Sequence, residues 1–287
     1  MVLDPDTAPQ DSIAGNDGAI NMLEARRPLP DTAPGNLCYL RAEMAVYDRD
    51  MVQMKRLRHC LEATLTLRPD DVDALAGLAR IGIWEGRTGG GNGDFVAALD
   101  HATRAFRLDP TSIRAGQALM IAQYHLRENQ PAIATGRYLL RLNPENNLLT
   151  AHVALITFLA GDSRAGLDYA RRAHAMSDHP ARDASTVDVL SAFLRGDYAA
   201  SIAASEDLAM DDVVIALVRL LAISRMNDPQ ATRTALDAAQ RRYPDLDRLA
   251  ASLRCERWGR PDLRAALASA MDGVFPGGGR QVIGDAP

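Results

Sequence analysis

LDPTSIRAGQALMIAQYHLRENQPAIATGRYLLRLNPE, residues 108–145, is the stretch that shows how the whole chain is organised. It opens and closes with the same kind of turn, Leu108-Asp109-Pro110-Thr111 and Leu142-Asn143-Pro144-Glu145, and the two prolines are 34 residues apart. Between the turns, apolar residues recur every three or four positions, which is the period of an amphipathic helix. A polar break at Glu128-Asn129 divides the stretch in two. The stretch therefore predicts a pair of helices forming one hairpin.

Similar turns recur along the chain on both sides of this stretch. Leu67-Arg68-Pro69-Asp70 precedes it by 41 residues, and the excess of seven coincides with a glycine-rich insertion at Gly86–Gly93. Pro180 follows Pro144 by 36 residues, and Pro244 follows Pro180 by 64, close to two further periods with a proline-free turn near Asp211. Periods of this length are typical of stacked repeat units. The predicted hairpins are 37–70, 71–110, 111–144, 145–180, 181–211 and 212–244.

Each predicted hairpin also needs a turn between its own two helices. Gly86, Gly161, Gly196, Glu128-Asn129 and Asn227-Asp228 stand at suitable distances, and a left-handed glycine commonly ends a helix. Small side chains occur where paired helices must approach closely, since larger ones would push the helices apart. These small residues are Ala79, Ala98, Ala102, Ala105, Ala132, Ala154, Ala170, Ala173 and Ala239.

The alternation of small residues with Leu and Tyr, closed by Leu-x-Pro, resembles the tetratricopeptide-repeat (TPR) family over roughly residues 37–244. This resemblance implies an all-α fold, a right-handed superhelical solenoid of about six helix hairpins whose first helices line the inner wall. Solenoid ends need a more polar outer face. Amphipathic segments at 246–254 and 262–271 are therefore expected to form C-terminal capping helices.

A narrower likeness concerns the end of the array. Tyr243-Pro244-Asp245, followed by the segment Arg260-Pro261-Asp262-Leu263-Arg264-Ala265-Ala266-Leu267, resembles the TPR tails of some bacterial adenylate cyclases and winged-helix regulators. The cyclase and DNA-binding parts of those proteins have no counterpart in this chain, so the likeness implies neither activity.

Composition limits the domain organisation and the classes of partner. Apolar residues make up 47% of the 287 residues, enough for a sizeable core, and Ala and Leu dominate them. Pro, Gly, Asp and Asn are dense over 1–35, which predicts a flexible segment before a solenoid at 36–273 and a flexible tail at 274–287. The net charge of −5, with Arg and acidic residues interspersed, argues against nucleic acid as a partner.

The expected cellular location follows from the absence of targeting signals in this sequence. The start, Met1-Val2-Leu3-Asp4-Pro5-Asp6, lacks the basic and apolar regions of a secretory signal, and no apolar run is long enough to cross a bilayer. A cytoplasmic protein without membrane insertion is expected. A periplasmic location is the alternative if a signal is missing from this chain.

Few residues suggest chemistry, and we expect neither a catalytic site nor a metal or cofactor. Cys38, Cys60 and Cys255 are widely spaced, which favours reduced, buried thiols over a disulfide framework. The six histidines include no pair at the helical metal-binding spacing. The glycine-rich Gly89–Gly93 loop lacks the Gly-Lys-Ser/Thr ending of a phosphate-binding loop, so a flexible insertion is expected.

Counting from the turns in the manner of the TPR family places one set of polar and aromatic residues on the inner wall of the first three repeats. These candidate partner-binding residues are Tyr39, Arg80, Trp84, Arg114, Gln117, Tyr124 and His125. The later repeats offer apolar side chains instead: Leu155, Phe158, Leu190, Phe193 and Leu221. The expected groove is therefore polar and basic at one end and apolar at the other.

Such a wall suits a peptide or helix that combines an acidic part with an apolar anchor. A single lysine, Lys55, argues against the Lys-based carboxylate clamp of chaperone-binding TPR domains, whereas a clamp through Arg80 and Arg114 stays open. The sequence favours a non-enzymatic adaptor or scaffold that binds a protein or peptide. The alternatives are a regulatory segment of a bacterial signalling protein and an envelope or export assembly factor. Oligomeric state cannot be inferred from the sequence.

Overall fold

A computed structural model describes Glu24, Arg26 and residues 34–48, 50–89, 93–177, 181–208, 212–244, 246 and 260–275. Every long element in this part of the chain is an α-helix, and it contains no strand. The helices are α1 (Asn36–Asp48), α2 (Met51–Leu67), α3 (Val72–Gly89), α4 (Gly93–Leu108), α5 (Ile113–His125), α6 (Asn129–Leu142), α7 (Asn147–Leu159), α8 (Ser163–Ala175), α9 (Arg182–Leu194), α10 (Tyr198–Ala204), α11 (Val213–Arg225), α12 (Pro229–Arg242) and α13 (Pro261–Val274).

The first twelve helices form the six hairpins that the sequence predicts, and the fold is an α-solenoid. Each hairpin pairs an odd-numbered first helix with the even-numbered second helix that follows it. Successive first helices also contact one another, from α1 against α3 to α9 against α11, whereas no two second helices pack together to a comparable extent. The first helices therefore lie side by side along one face of the stack, the inner wall.

The turns between hairpins repeat one backbone structure. The residue before each proline donates its N–H to the carbonyl four residues back, at 2.8 Å from Arg68, 3.0 Å from Asp109, 2.9 Å from Asn143 and 2.8 Å from Tyr243. A residue that precedes proline is pushed out of the helical region, so each of these helices ends there. Polar side chains cap most of the helices, both after these turns and after the turns within hairpins. The capping residues are Asp50, Asp71, Ser112, Asn146, Asp162, Asp197, Asp212 and Asp228.

The turns within hairpins confirm the predicted positions in four cases and correct one. Gly161 and Gly196 have positive φ angles of 108° and 75°, and Arg127 and Asn227 take the same left-handed conformation in their repeats. The prediction for Gly86 is wrong, because α3 continues to Gly89. Position 86 requires a glycine for a different reason, because an added Cβ would lie 2.8 Å from atoms of the Phe95 ring.

The core depends on close approach of the helices. Of the nine alanines predicted at helix crossings, eight are buried, and Ala239 is half-buried. Glycines bring some backbones closer still. An added Cβ at Gly166 in α8 would lie 2.6 Å from Cβ and 2.8 Å from Cα of Phe158 in α7. Since these atoms belong to the Phe158 backbone and its first side-chain carbon, no rotamer change could make room.

Replacing Gly166 with Ala is therefore expected to reduce the free energy of unfolding by about 1–3 kcal/mol, the usual range for overpacking. The matched control is Gly273→Ala in α13, because an added Cβ there meets nothing within 4 Å. This control should be neutral or stabilising by up to about 1 kcal/mol, since Ala is the better helix former. Urea denaturation of both variants would measure the difference. Equal stability of the two would contradict the proposed approach of α7 and α8.

A disulfide joins Cys38 in α1 to Cys60 in α2, and the expectation that these thiols are reduced is therefore wrong. The two residues are 22 apart in sequence, yet the antiparallel hairpin brings their Cα atoms to 5.8 Å, within the range that a disulfide spans. Both cysteines are buried. Thr64 lies beside them, and its hydroxyl accepts a hydrogen bond from the Gly35 N–H at 2.9 Å.

Reducing this bond is expected to lower the free energy of unfolding by about 3 kcal/mol, the entropy estimate for a loop of this size. Denaturant titrations with and without a reductant would measure the change. A Cys38→Ala/Cys60→Ala double variant should not respond to the reductant. Thiol titration of the unreduced, denatured protein should detect one of the three cysteines, and detection of all three would contradict the bond.

The C-terminal helix α13 confirms that one of the two predicted C-terminal helices forms, and its contacts show where it lies. It packs on α11, the first helix of the last hairpin, and extends over α9. The other predicted capping segment, 246–254, is outside the described residues except for Leu246, which is buried. Nearly all of the predicted N-terminal segment, residues 276–287 of the predicted tail, Cys255, His179 and the middle of the Gly89–Gly93 loop are likewise outside them.

Candidate functional site

All seven candidate residues lie on first helices. Tyr39 is on α1, Arg80 and Trp84 are on α3, and Arg114, Gln117, Tyr124 and His125 are on α5. Tyr39 and Arg114 belong to the first and third repeats but are in contact. The Arg114 guanidinium lies 4.5 Å from the centre of the Tyr39 ring. Tyr39 is buried, and that burial raises the pKa of its phenol well above the usual value. The ring therefore forms a neutral floor beneath Arg114.

Both candidate arginines are paired with carboxylates of the preceding repeat. Arg80 Nε donates to Glu43 Oε1 on α1 at 3.2 Å, and Arg114 Nη1 donates to Asp73 Oδ2 on α3 at 2.8 Å. Arg114 Nη1 also donates to Asn36 Oδ1 at 3.2 Å. A clamp that presents unpaired arginines to a carboxylate is therefore not what these side chains form.

The same kind of bridge continues along the inner wall. Gln117 Nε2 on α5 lies 3.3 Å from His152 Nδ1 on α7, and His152 Nε2 lies 3.3 Å from Asp183 Oδ2 on α9. Arg182 at the start of α9 lies 4.0 Å from the Asp212 carboxylate that caps α11. Every pair of successive first helices is thus joined by polar side chains. We call these five bridges the polar ladder: Glu43–Arg80, Asp73–Arg114, Gln117–His152, His152–Asp183 and Arg182–Asp212.

In repeats one to three the polar ladder pairs two guanidinium groups with two carboxylates, which corrects the expectation of a basic end to the groove. Four carboxylates face three guanidinium groups and one imidazole along the row. The side chains are mostly covered but keep some exposure, with exposed fractions of 17% for Arg80, 20% for Arg114 and 17% for His152. The wall therefore offers hydrogen-bonding groups of both signs.

Trp84 forms a second feature at the end of α3. Its indole Nε1 donates to the Val46 carbonyl at 3.0 Å, and the Arg87 guanidinium lies 4.6 Å from the centre of its ring. Trp84 is half-buried and Arg87 is exposed. Tyr47, next to Val46, is 70% exposed. Tyr, Trp and Arg side chains contribute most of the binding energy at many protein interfaces. Here Tyr47, Trp84 and Arg87 lie in the C-terminal parts of α1 and α3.

The remaining candidates are less accessible. Gln117 and Tyr124 are buried, and His125 stacks on the Phe95 ring with 4.9 Å between ring centres. Of the apolar residues expected in the later repeats, Leu155 alone is half-buried, while Phe158, Leu190, Phe193 and Leu221 are buried. Phe158 is covered in part by Arg260, whose guanidinium lies 4.5 Å from the centre of the ring.

The sequence reasoning missed Glu43, Asp73, His152 and Asp183. A signal for them exists, because each lies roughly one repeat from its partner: 37 residues for Glu43 and Arg80, 41 for Asp73 and Arg114, 35 for Gln117 and His152, and 31 for His152 and Asp183. A search for polar residues one period apart would have found these pairs. Within the described ranges, no group of three or more His, Cys, Asp or Glu side chains could hold a metal ion. No helix there is both long and apolar enough to span a bilayer.

The Asp73–Arg114 bridge has a measurable pH signature. Burial raises the pKa of Asp73, and Arg114 lowers it by less, so ionising Asp73 costs more in the folded than in the unfolded chain. An acid with a raised folded pKa contributes stability below its unfolded pKa of about 3.9, and this contribution is lost as the pH rises through the folded value. Wild type should therefore gain stability relative to Asp73→Asn as the pH falls from 7 towards 4.

At pH 7, Asp73→Asn should change the free energy of unfolding by no more than about 0.5 kcal/mol. Arg114→Ala should cost about 1–2 kcal/mol, because it also uncovers the Tyr39 ring and removes the bond to Asn36. Denaturation of both variants across this pH range tests the assignment. A relative gain by wild type on raising the pH would contradict it.

Comparisons with known proteins concern the fold. No protein-family model and no curated protein matches the chain. A solved structure of pilF from Pseudomonas aeruginosa is similar, with a TM-score of 0.50 and 14% identity over 72% of this chain and 95% of that one. A tetratricopeptide repeat protein from Parabacteroides merdae has a TM-score of 0.48 and 16% identity over 82% of this chain and 99% of that one. The fold is that of a TPR-like α-solenoid. At these identities the similarity does not extend to partners.

Proposed function

We propose that this chain is a non-enzymatic protein-interaction module, an adaptor or scaffold, and that it binds a peptide or partner protein on the inner wall of repeats one to three. The observation that supports this most directly is the polar ladder. Helices that only needed to stack would bury apolar side chains at their contacts, yet each contact between first helices carries a partly exposed polar bridge. Arranged in this way, the bridges offer a partner a row of donors and acceptors held in fixed positions.

The balance of charge defines the class of partner. A strongly acidic ligand would have to displace Glu43 and Asp73 from Arg80 and Arg114, so we expect a peptide of mixed polarity that hydrogen-bonds to the existing pairs. An aromatic or aliphatic side chain of the same partner would pack beside Trp84, which is half-buried. The net charge of −5 supports a protein partner over nucleic acid.

The test is affinity capture with the immobilised chain from a lysate of the organism that encodes it, followed by mass spectrometry. An Arg80→Gln/Arg114→Gln variant should retain its helical circular-dichroism spectrum and bind the captured protein at least about tenfold more weakly, a difference of about 1.4 kcal/mol. The control is Arg107→Ala/Arg137→Ala, which removes two exposed arginines from the second helices α4 and α6. Equal binding by the Arg80/Arg114 variant and wild type would refute the assignment to this wall.

The disulfide favours one of the alternatives, an envelope or export assembly factor. Disulfides persist mainly in oxidising compartments, so the Cys38–Cys60 bond supports a periplasmic over a cytoplasmic location. The alternative of a regulatory segment in a signalling protein rests on the sequence likeness around Tyr243 and Pro261 alone. Rapid acid quenching of whole cells, followed by alkylation under denaturing conditions, would distinguish the locations, since a cytoplasmic chain would have both buried thiols reduced and therefore modified.

A further inference from the structure

The C-terminal helix α13 is seated on the inner wall of the later repeats. Its buried residues are Leu263, Leu267, Ala270, Met271 and Val274, which follow the i, i+4, i+7, i+8, i+11 pattern of one helical face. These residues belong to the same apolar cluster as α9 and α11, and α13 packs against both helices. The other face, which includes Ala265 and Ala268, is exposed. An amphipathic helix thus lies with its apolar face across first helices of two repeats.

Polar contacts fix this helix just before its first residue and again in its C-terminal half. Arg260, just before α13, donates from Nη1 to the Phe158 carbonyl of α7 at 3.1 Å and makes two bonds to Asp262, at 2.7 and 2.8 Å. In the C-terminal half of α13, Ser269 Oγ accepts a hydrogen bond at 2.7 Å from Arg225, the last residue of α11. The segment from Arg260 to Val274 therefore spans the first helices of repeats four, five and six.

A helix that only capped the stack would lie elsewhere. A first helix in this stack packs on both helices of the hairpin before it, as α11 does on α9 and α10, so a helix in the place of a further repeat would cover α12 as well as α11. The helix α12 has no buried residue. No extensive packing joins α12 to α13. The segment 260–274 instead covers the inner wall of the later repeats, where the sequence predicts apolar groove residues, and Arg260 covers one of them, Phe158. Its position is that of a ligand helix lying in a groove.

We propose that the inner face of repeats four to six is a binding groove for an amphipathic helix, and that α13 occupies it as an internal ligand. The external partner is a helix with apolar residues in the spacing of α13 and an arginine before its first turn. This goes beyond the interaction proposed for repeats one to three and does not depend on it. Because α13 is tethered, an external helix competes with a high effective concentration and binds only when α13 is released.

The test uses the full chain and a fluorescein-labelled peptide of residues 260–275. A Leu263→Glu/Leu267→Glu variant should release α13 and bind this peptide at least about tenfold more tightly than wild type does. The matched control, Ala265→Glu/Ala268→Glu, adds the same charges to the exposed face and should behave like wild type. A peptide that itself carries Leu263→Glu and Leu267→Glu should not bind. Absence of binding to the release variant, or unfolding of its repeats, would overturn the proposal.

Hydrogen exchange of the unmodified chain provides a second measurement that no variant can confound. The amides of α13 should exchange through an opening that leaves α9 and α11 protected, because an internal ligand leaves its groove without unfolding the repeats. If α13 amides exchanged only together with those of α9 and α11, the helix would be an integral part of the core and the proposal would fail. The Arg80/Arg114 variant affects neither measurement, so the two proposals can fail separately.

Discussion

The close approach of neighbouring helix backbones is the constraint on which this structure depends. A single hairpin has too little apolar surface to fold alone, so each must be covered by the next. Glycines permit this contact both within and between hairpins: Gly166 meets Phe158 in the same hairpin, and Gly136 meets Val153 in the next. Because these contacts repeat along the chain, the first helices are brought into one row. The polar bridges of that row exist only because the helices are this close.

The sequence predicted those parts of the fold that local chemistry decides. A proline fixes the helix end before it, and a left-handed glycine or polar residue marks the turn within most hairpins, so the spacing of these signals was enough to recognise the hairpins. Gly86 was misassigned because a glycine required by a neighbouring ring looks the same in sequence as one required by a turn. The Cys38–Cys60 bond was missed for the opposite reason, since it depends on how α1 lies against α2 and has no local signal.

For the candidate site as well, the sequence predicted which helices carry the residues but not which residues they contact. Placing Arg80, Arg114 and Gln117 on first helices needed only the repeat register, which was available from the turns. Their partners lie one repeat away, and pairing them requires the distance between adjacent first helices, which spacing alone does not give. The predicted charge of the groove was wrong for this reason. Counting Arg80 and Arg114 alone predicts a basic groove, whereas each of these arginines is paired with a carboxylate, Glu43 or Asp73. The position of α13 could not be predicted from the sequence, because this helix lies outside the repeats and no repeat spacing specifies which helices it contacts.

Arg260 explains why the position of α13 is specific. Among the described residues it is the one buried charged side chain, and burying a guanidinium is costly unless its donors are satisfied. Asp262 and the Phe158 carbonyl satisfy several of them, and the Phe158 ring covers one face of the guanidinium. Apolar contacts alone would let a smooth helix slide or turn along α9 and α11. The directional bond from Arg260 to the Phe158 carbonyl favours one register, which is the property that a groove must have to distinguish one helix from another.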